Sequence, residues 1–187
     1  MSTKTLIKVV ALSFAALVIM EQITYWFGLQ LPFGINPTSS IPIGIYGRTH
    51  EALRRGVVIK FPEPHKAGVP IVHPYGIPNL LKYIAAMPGD VVDVTNQGVW
   101  INGHLWPNSQ PRATTVHPYL GHHVIHPGHV WAMGTNDHSL DSRYFGEVPI
   151  GSIISTLRPR PLFGIPPNQL CAIKETDPSP SPCYLRN

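Results

Sequence analysis

The chain has 187 residues, of which 43% are hydrophobic and only 13% charged, with 21 prolines, 16 glycines and a formal charge of +4. It is too apolar and too weakly charged for a disordered chain, and too rich in turn-forming residues for a helical bundle; the balance suits strands and turns. The positive charge is mild and scattered, with no Arg/Lys run and no basic–aromatic interleaving, which argues against nucleic acid as a partner; an anionic bilayer surface accounts for it equally well.

Residues 1–29 open with Lys4 and Lys8, followed by an apolar run from Val9 to Met20 broken only by Ser13. As a helix that run covers roughly 18 Å, short of a ~30 Å hydrocarbon core. Glu21-Gln22 interrupt, and the stretch from Ile23 to Leu29 resumes. With Leu6-Ile7 added at the front and Ile23 to Leu29 behind, the segment reaches the length of one membrane span. Lys8 then snorkels inward and Tyr25-Trp26 sit at the far interface. A cleaved signal peptide is the alternative, but no Ala-x-Ala-like site follows Met20. A buried core helix is opposed by Glu21 and the lysines. The expected organisation is an anchor over residues 1–29, an exported domain over 30–158, and a Pro-rich tail over 159–187.

The next stretch runs Asn36-Pro37-Thr38-Ser39-Ser40-Ile41-Pro42-Ile43-Gly44-Ile45-Tyr46. Its prolines and glycine exclude a helix. Pro42 biases Ile41 towards extended backbone and so places Ser40 at a strand end or turn. Such a segment is either a stiff linker or the carrier of a nucleophile held just outside a membrane.

Further along, Gly56 to Phe61 reads as a buried strand closed by Pro62-Glu63-Pro64, and the chain from there to Leu81 as a loop with one short strand at best. Lys82 to Thr95 reads as strand, Pro88-Gly89-Asp90 turn, strand. Gly98 to Gly103 continues the meander, with Asn102-Gly103 as a hairpin signal. His117, His122, His123, His126 and His129 have no acid or Cys among them and fit no common zinc spacing, so no metal is expected. Val130 to Gly134 is a strand ending in Gly. Thr135 to Gly146 is a dense polar loop in which Asp141 and Arg143 are placed to pair. Val148 to Leu157 reads as one closing strand. The tail holds seven prolines and both cysteines, Cys171 and Cys183; in an exported chain these either close a disulfide or remain two unrelated thiols.

A serine hydroxyl needs a base to become a nucleophile. None of the ten histidines sits in a recognisable triad setting. A lysine serves if burial lowers its pKa. Lys82, among Leu80, Leu81, Tyr83, Ile84 and two alanines, is the cation in the right surroundings; a surface lysine at a strand edge is the competing reading.

Three blocks in order resemble the type I signal peptidase superfamily. Asn36 to Tyr46 resembles its conjugal-transfer TraF branch, with the pattern Asn-x-Thr-x-Ser-Ile-Pro-x-Gly-x-Tyr. Lys82 to Asp90 is similar to the Lys-containing box that ends in Pro-Gly-Asp. Met133 to Pro149 is similar to the Met-Gly-Asp-Asn…Ser-x-Asp-Ser-Arg-Tyr-x-Gly-x-Val-Pro box. The resemblance implies a mainly β fold of coiled antiparallel sheets with one N-terminal transmembrane helix. It implies Ser40 as nucleophile and Lys82 as general base. Thr38 then assists the oxyanion hole, Ser139 orients the lysine, and the Asp141–Arg143 pair supports the site. Thr135 departs from the pattern, standing where many relatives have Asp, and the loop before Ser139 is one residue shorter than in housekeeping enzymes. Ser39 is a rival nucleophile; the Ser-Ile-Pro-x-Gly-x-Tyr pattern runs through Ser40.

The implied activity is cleavage, or head-to-tail closure, of a pilin or other exported precursor in a conjugative transfer or type IV secretion system. No cofactor is implied. The partners are a pre-pilin or signal-peptide-bearing precursor, the lipid bilayer and components of the transfer apparatus. The implied location is the bacterial inner membrane, single-pass, with the domain on the periplasmic side. A general signal peptidase, a non-catalytic pilus-assembly module and a soluble repressor-type peptidase are the alternatives. The last is opposed by the N-terminal apolar segment and the lack of a DNA-binding helix pair.

Overall fold

The computed structural model describes residues 2–26, 32–64, 79–112 and 116–160. Residues 161–187, with Cys171 and Cys183, lie outside the described residues, so the disulfide expectation and most of the tail do too.

Eleven strands form two antiparallel sheets among the described residues. They are β1 (Phe33–Asn36), β2 (Gly44–Thr49), β3 (Val58–Pro62), β4 (Asn79–Ala86), β5 (Val91–Thr95), β6 (Gly98–Ile101), β7 (His104–Leu105), β8 (Gly121–Val124), β9 (His129–Met133), β10 (Val148–Pro149) and β11 (Ser155–Pro159). A seven-stranded sheet runs β1-β2-β11-β3-β4-β9-β10, and a four-stranded sheet runs β7-β6-β5-β8. The mainly antiparallel β architecture expected from composition and turn chemistry is what the chain adopts.

β4 is central, flanked by β3 and β9, and every one of its eight residues is buried. A strand covered on both faces shows an apolar run rather than alternation, which is why Asn79–Ala86 lacks a period-two pattern. One face, with Leu81, Tyr83, Val58 and Met133, packs into a core shared with the four-stranded sheet through Val92, Val94 and Ile101. The other, with Leu80, Ile84, Ile59 and Ala132, is covered by Phe145 of the short helix α2 (Ser142–Phe145). Phe145 meets Phe61 edge-on with ring centroids 6.2 Å apart. Strand alternation puts Lys82 on this second face, between Leu80 and Ile84 and opposite Ile59.

β4 passes through a register irregularity between Ile84 and Ala86, then through the Pro88-Gly89 turn, where Gly89 has φ +88, into β5 of the other sheet. Asp90 fixes that corner by accepting hydrogen bonds from Met87 N–H (2.7 Å), Asn102 Nδ2 (2.9 Å) and Arg55 Nε (2.9 Å), with Arg55 Nη2 on its other oxygen. Burial pushes the Asp90 carboxyl up, but these donors more than offset it and hold it below the usual carboxylate range. The Asn102-Gly103 hairpin forms as expected, both residues at positive φ.

Three expectations are corrected. Val148 to Leu157 is not one strand: Pro149 ends β10, a 3-10 turn covers Ile150–Ser152, and β11 begins at Ser155 on a different part of the sheet. Part of the stretch read as a loop up to Leu81, Asn79–Leu81, is the start of β4. At the N-terminus the helix α1 forms over Thr3–Trp26, yet among the described residues no helix is long and apolar enough to cross a membrane. Lys8 and Glu21-Gln22 bracket the apolar stretch and leave the uninterrupted part short.

Candidate active site

The turn between β1 and β2 cannot build its own backbone ladder, because two of its residues are proline. A side chain replaces the ladder. Asn36, buried at the end of β1, donates through Nδ2 to the carbonyls of Thr38 (2.7 Å), Ile41 (2.7 Å) and Pro42 (3.1 Å). Tyr46 Oη donates to the Pro42 carbonyl from the other side (2.6 Å), and burial pushes the phenol pKa up. Inside this frame Thr38 Oγ1 lies 2.9 Å from Asn36 Oδ1 and 3.0 Å from Ser40 Oγ.

The loop after β9 grips the same turn from outside. Thr135 donates to the Ser40 carbonyl through both its N–H (2.7 Å) and its hydroxyl (3.2 Å). Asn136 Nδ2 donates to the Ser39 carbonyl and to Ser39 Oγ (3.1 Å). Ser39 is exposed and tied to Asn136, whereas Ser40 is half-buried and turned to Thr38.

Lys82 is 3% exposed. Its ammonium makes no hydrogen bond or ion pair among the described residues. Burial lowers its pKa from the usual lysine range to about 8; Asp141 raises it, Arg143 lowers it and Glu63 raises it, each by less. Near pH 8 a large share of Lys82 is therefore the neutral amine, able to accept a proton.

Behind the lysine the polar loop is held by one buried pair. Arg143 and Asp141 are both fully buried and bonded through Nε to Oδ1 (2.7 Å) and Nη2 to Oδ2 (2.8 Å). Asp141 also accepts Gly134 N–H (2.9 Å) and caps α2 by accepting Arg143 N–H (3.2 Å). Arg143 Nη2 reaches the Asn136 carbonyl (3.0 Å), so one guanidinium sets the loop that grips Ser39 and Ser40. Ser139 is buried, and its Oγ has no hydrogen-bond partner among the described residues. A Cβ on Gly134 would lie 2.7 Å from the Ser40 carbonyl oxygen and would collide with Ser139 Oγ. Trp106 Nε1 donates to the Gly134 carbonyl (2.8 Å), carrying the support into the second sheet.

Thr38, Ser40, Lys82 and Ser139 line one cleft of about 260 Å³, with Asn36 and Asn136. Asp141 and Arg143 lie outside it as its support. All six residues singled out from the sequence thus fall in or directly behind a single site. Among the described residues, His138 is the one histidine that enters the cleft. His122 Nδ1 meets Asp93 (2.6 Å), His126 Nδ1 meets Glu147 (3.0 Å), and His123 stacks between Tyr119 and Trp131.

Residues 6–160 match the family described as signal peptidase, peptidase S26. The chain belongs to the S26 signal peptidase family. It is similar to plasmid transfer protein TraF of Escherichia coli, 29% identical over 173 residues, covering 82% of this chain and 94% of that protein. It is also similar to conjugal transfer protein TraF of Agrobacterium fabrum (strain C58), 29% identical over 151 residues, 71% of this chain and 84% of that one. Over 89 residues it is 36% identical to conjugal transfer protein TraF of Agrobacterium tumefaciens (strain 15955), covering 45% and 49%. Among solved structures, signal peptidase I of Enterococcus faecalis V583 is 20% identical, with a TM-score of 0.37, covering 57% of this chain and 97% of that one.

In this S26 chain four further residues shape the site although the sequence assigned them no role in it: Asn36, Gly134, Thr135 and Asn136. Asn36 and Gly134 stand in the matched blocks, but their roles are contacts to backbone carbonyls, which no side-chain pattern announces. Thr135 departs from the family pattern; as a neutral hydroxyl it donates to the Ser40 carbonyl, which a carboxylate there has no proton to do.

Proposed function

We propose that this S26 chain is a membrane-attached serine endopeptidase that processes a pilin or another exported precursor in a conjugative transfer or type IV secretion system, with Ser40 as nucleophile and Lys82 as general base. The observation that carries the reading is the cleft, in which Ser40 shares a wall with a buried lysine whose pKa lies near 8. A lysine kept only for stability would be paired or exposed. Similarity to three proteins named for plasmid or conjugal transfer supports the biological setting.

Neutral Lys82 takes the Ser40 proton as Oγ bonds to the precursor's scissile carbonyl carbon. The Ser40 N–H, which makes no hydrogen bond among the described residues, takes the oxyanion. Lys82 then protonates the leaving amine as the C–N bond breaks, leaving an acyl-enzyme on Ser40. Water releases a shortened chain, or the precursor's own amino terminus attacks and closes it into a ring. Ser139, in the same cleft with its Oγ unbonded among the described residues, is the hydroxyl available to orient Lys82 once a precursor is bound, and the Asp141–Arg143 pair keeps the loop in place.

α1 carries Leu6, Ile7, Val9, Val10, Leu12 and Ile19 exposed among the described residues. We assign this helix to the surface of a lipid bilayer, with the two sheets on the periplasmic side of the inner membrane.

The test is the intact mass of a pilin precursor encoded with this protein, co-expressed with the wild type or with Ser40→Ala. Shortening by the wild type alone supports the peptidase; a product lighter by one further water identifies ring closure. A precursor with an Ala-x-Ala signal peptide, cleaved in place of the pilin, indicates a general signal peptidase. No cleavage of either points to a non-catalytic assembly module.

A further inference from the structure

A carboxylate closes the apolar face of β3. Along the chain from Ile59 burial alternates: Ile59, Phe61 and Glu63 are buried, Lys60 is half-buried and Pro62 is exposed. Glu63 lies one residue past the strand, but Pro64 disfavours helical backbone at the position before it, so the alternation carries on. The Glu63 side chain therefore falls on the face that holds Ile59 and Phe61. Register puts Lys82 opposite Ile59 and Leu80 opposite Phe61, so Lys82 is on that face too.

Glu63 is 4% exposed, with Oε2 shut off from solvent. A carboxylate is costly to bury. This one follows Pro62, which pairs with Asn79, and Asn79 and Leu80 belong to the wall of the cleft. Between Glu63 and Lys82 the face carries Phe61 and Leu80, apolar side chains that screen one charge from another poorly. The charged groups acting on Lys82 are Asp141, Arg143 and Glu63; the two carboxylates favour its ammonium form and Arg143 opposes it. Asp141 and Arg143 are bound to each other and act in opposite senses. His138 is the further titratable group lining the cleft among the described residues, whereas Lys60 and Tyr83 fall on the other face of the sheet.

We propose that Glu63 is a positioning residue of the reaction, acting through Lys82 by stabilising the ammonium that forms when the amine takes the Ser40 proton. The proposal rests on the reading of Ser40 and Lys82 as nucleophile and base. As Ser40 Oγ bonds to the scissile carbon, the carbonyl π pair moves onto oxygen and the hydroxyl proton passes to Nζ. The new positive charge appears in apolar surroundings, where a fixed anion on the same face offsets the cost of holding it. When the oxygen pair returns, the C–N bond breaks and the proton leaves Nζ for the departing nitrogen. Glu63 exchanges no proton in either step.

The test is the titration of Lys82 in the full-length chain in detergent, read by NMR from lysine labelled with carbon-13 at Cε. The Lys82 signal is the one missing from Lys82→Met. Glu63→Gln removes the charge at nearly constant shape, and Glu63→Leu removes it with a side chain suited to the apolar layer if the amide does not fold there. In either variant the midpoint is expected to fall by roughly half a unit to one unit. Glu63→Asp keeps the charge and is expected to keep most of the wild-type midpoint. A midpoint unmoved in the neutral variants overturns the proposal. The rate profile on an Ala-x-Ala signal-peptide precursor or the pilin gives a second reading. The acid limb of kcat should move down with the midpoint, and the alkaline plateau should drop about twofold, because a weaker base takes the proton less readily. A rate lowered equally at every pH with the limb in place, which loss of packing alone produces, overturns the proposal. Cleavage that survives in Lys82→Met removes the base assignment and the role of Glu63 with it; that failure is distinct from a failed coupling, because the NMR midpoints still differ.

Discussion

On the proposed reading, Lys82 concentrates the chemistry of this protein in one amine. Its burial depresses the pKa to about 8, so activity through it should rise with pH across that value and level off above it. A rate profile that stays flat from about pH 6 to 10, the latter near the ordinary lysine pKa, would rule the base out. The same burial has a cost. Between about 8 and the unfolded lysine value near 10.4 the unfolded chain binds more protons than the folded one, so stability rises with pH through that window. Lys82→Met should abolish cleavage, raise Tm at neutral pH by a few degrees (about 4 °C), and remove that pH dependence, as read by urea unfolding between pH 7 and 10. The apolar neighbours of Lys82 in the sequence make a buried lysine thinkable but leave a strand-edge lysine equally open. What decides is cover from Phe145 and from β9, some fifty residues away along the chain, which a local pattern does not contain.

At the scale of the element, the loop between β9 and α2 behaves as a bracket. Asp141 and Arg143 are legible as partners because opposite charges two residues apart in a polar loop have little else to do. That both are fully buried, and that the pair governs Gly134 and Asn136, is not legible, since the contacts run to backbone groups. Arg143→Ala strands the Asp141 carboxylate in the interior and should cost about 3–5 kcal/mol in a urea titration. Gly134→Ala pushes on Ser139 and on the Ser40 carbonyl at once. It should lower kcat/KM by roughly a hundredfold, the effect of displacing reacting groups by about 1 Å, while the far-ultraviolet circular dichroism stays that of the wild type. The division of Val148 to Leu157 into two strands escaped the sequence for a related reason. Both halves are apolar enough for strands, and only Pro149 and Gly151 hint that the chain changes partners between them.

At the scale of the molecule, α1 stands out from the sheets and meets them at β1. It carries apolar side chains exposed, so the wild-type chain should sediment with phospholipid vesicles. A chain lacking residues 2–26 should stay in the supernatant and keep the circular dichroism of the two sheets. Two-sheet antiparallel architecture is legible from proline, glycine and alternation, whereas strand order is not, because register between distant strands is set by packing.

Strand order carries a consequence for when the protein becomes active. The hairpin of β1 and β2, which holds Ser40, is not hydrogen-bonded to the β3–β4 pair that holds Lys82; β11 lies between them. Ser155–Pro159 is the last strand to be synthesised among the described residues, and it is the piece that closes the sheet across the site. A chain still emerging from the ribosome therefore joins the two halves of its cleft through the hydrogen bonds of Thr135 and Asn136 to the Ser40 turn, without the sheet between them. On the proposed peptidase reading, cutting power arrives with β11, after the strands before it have already emerged.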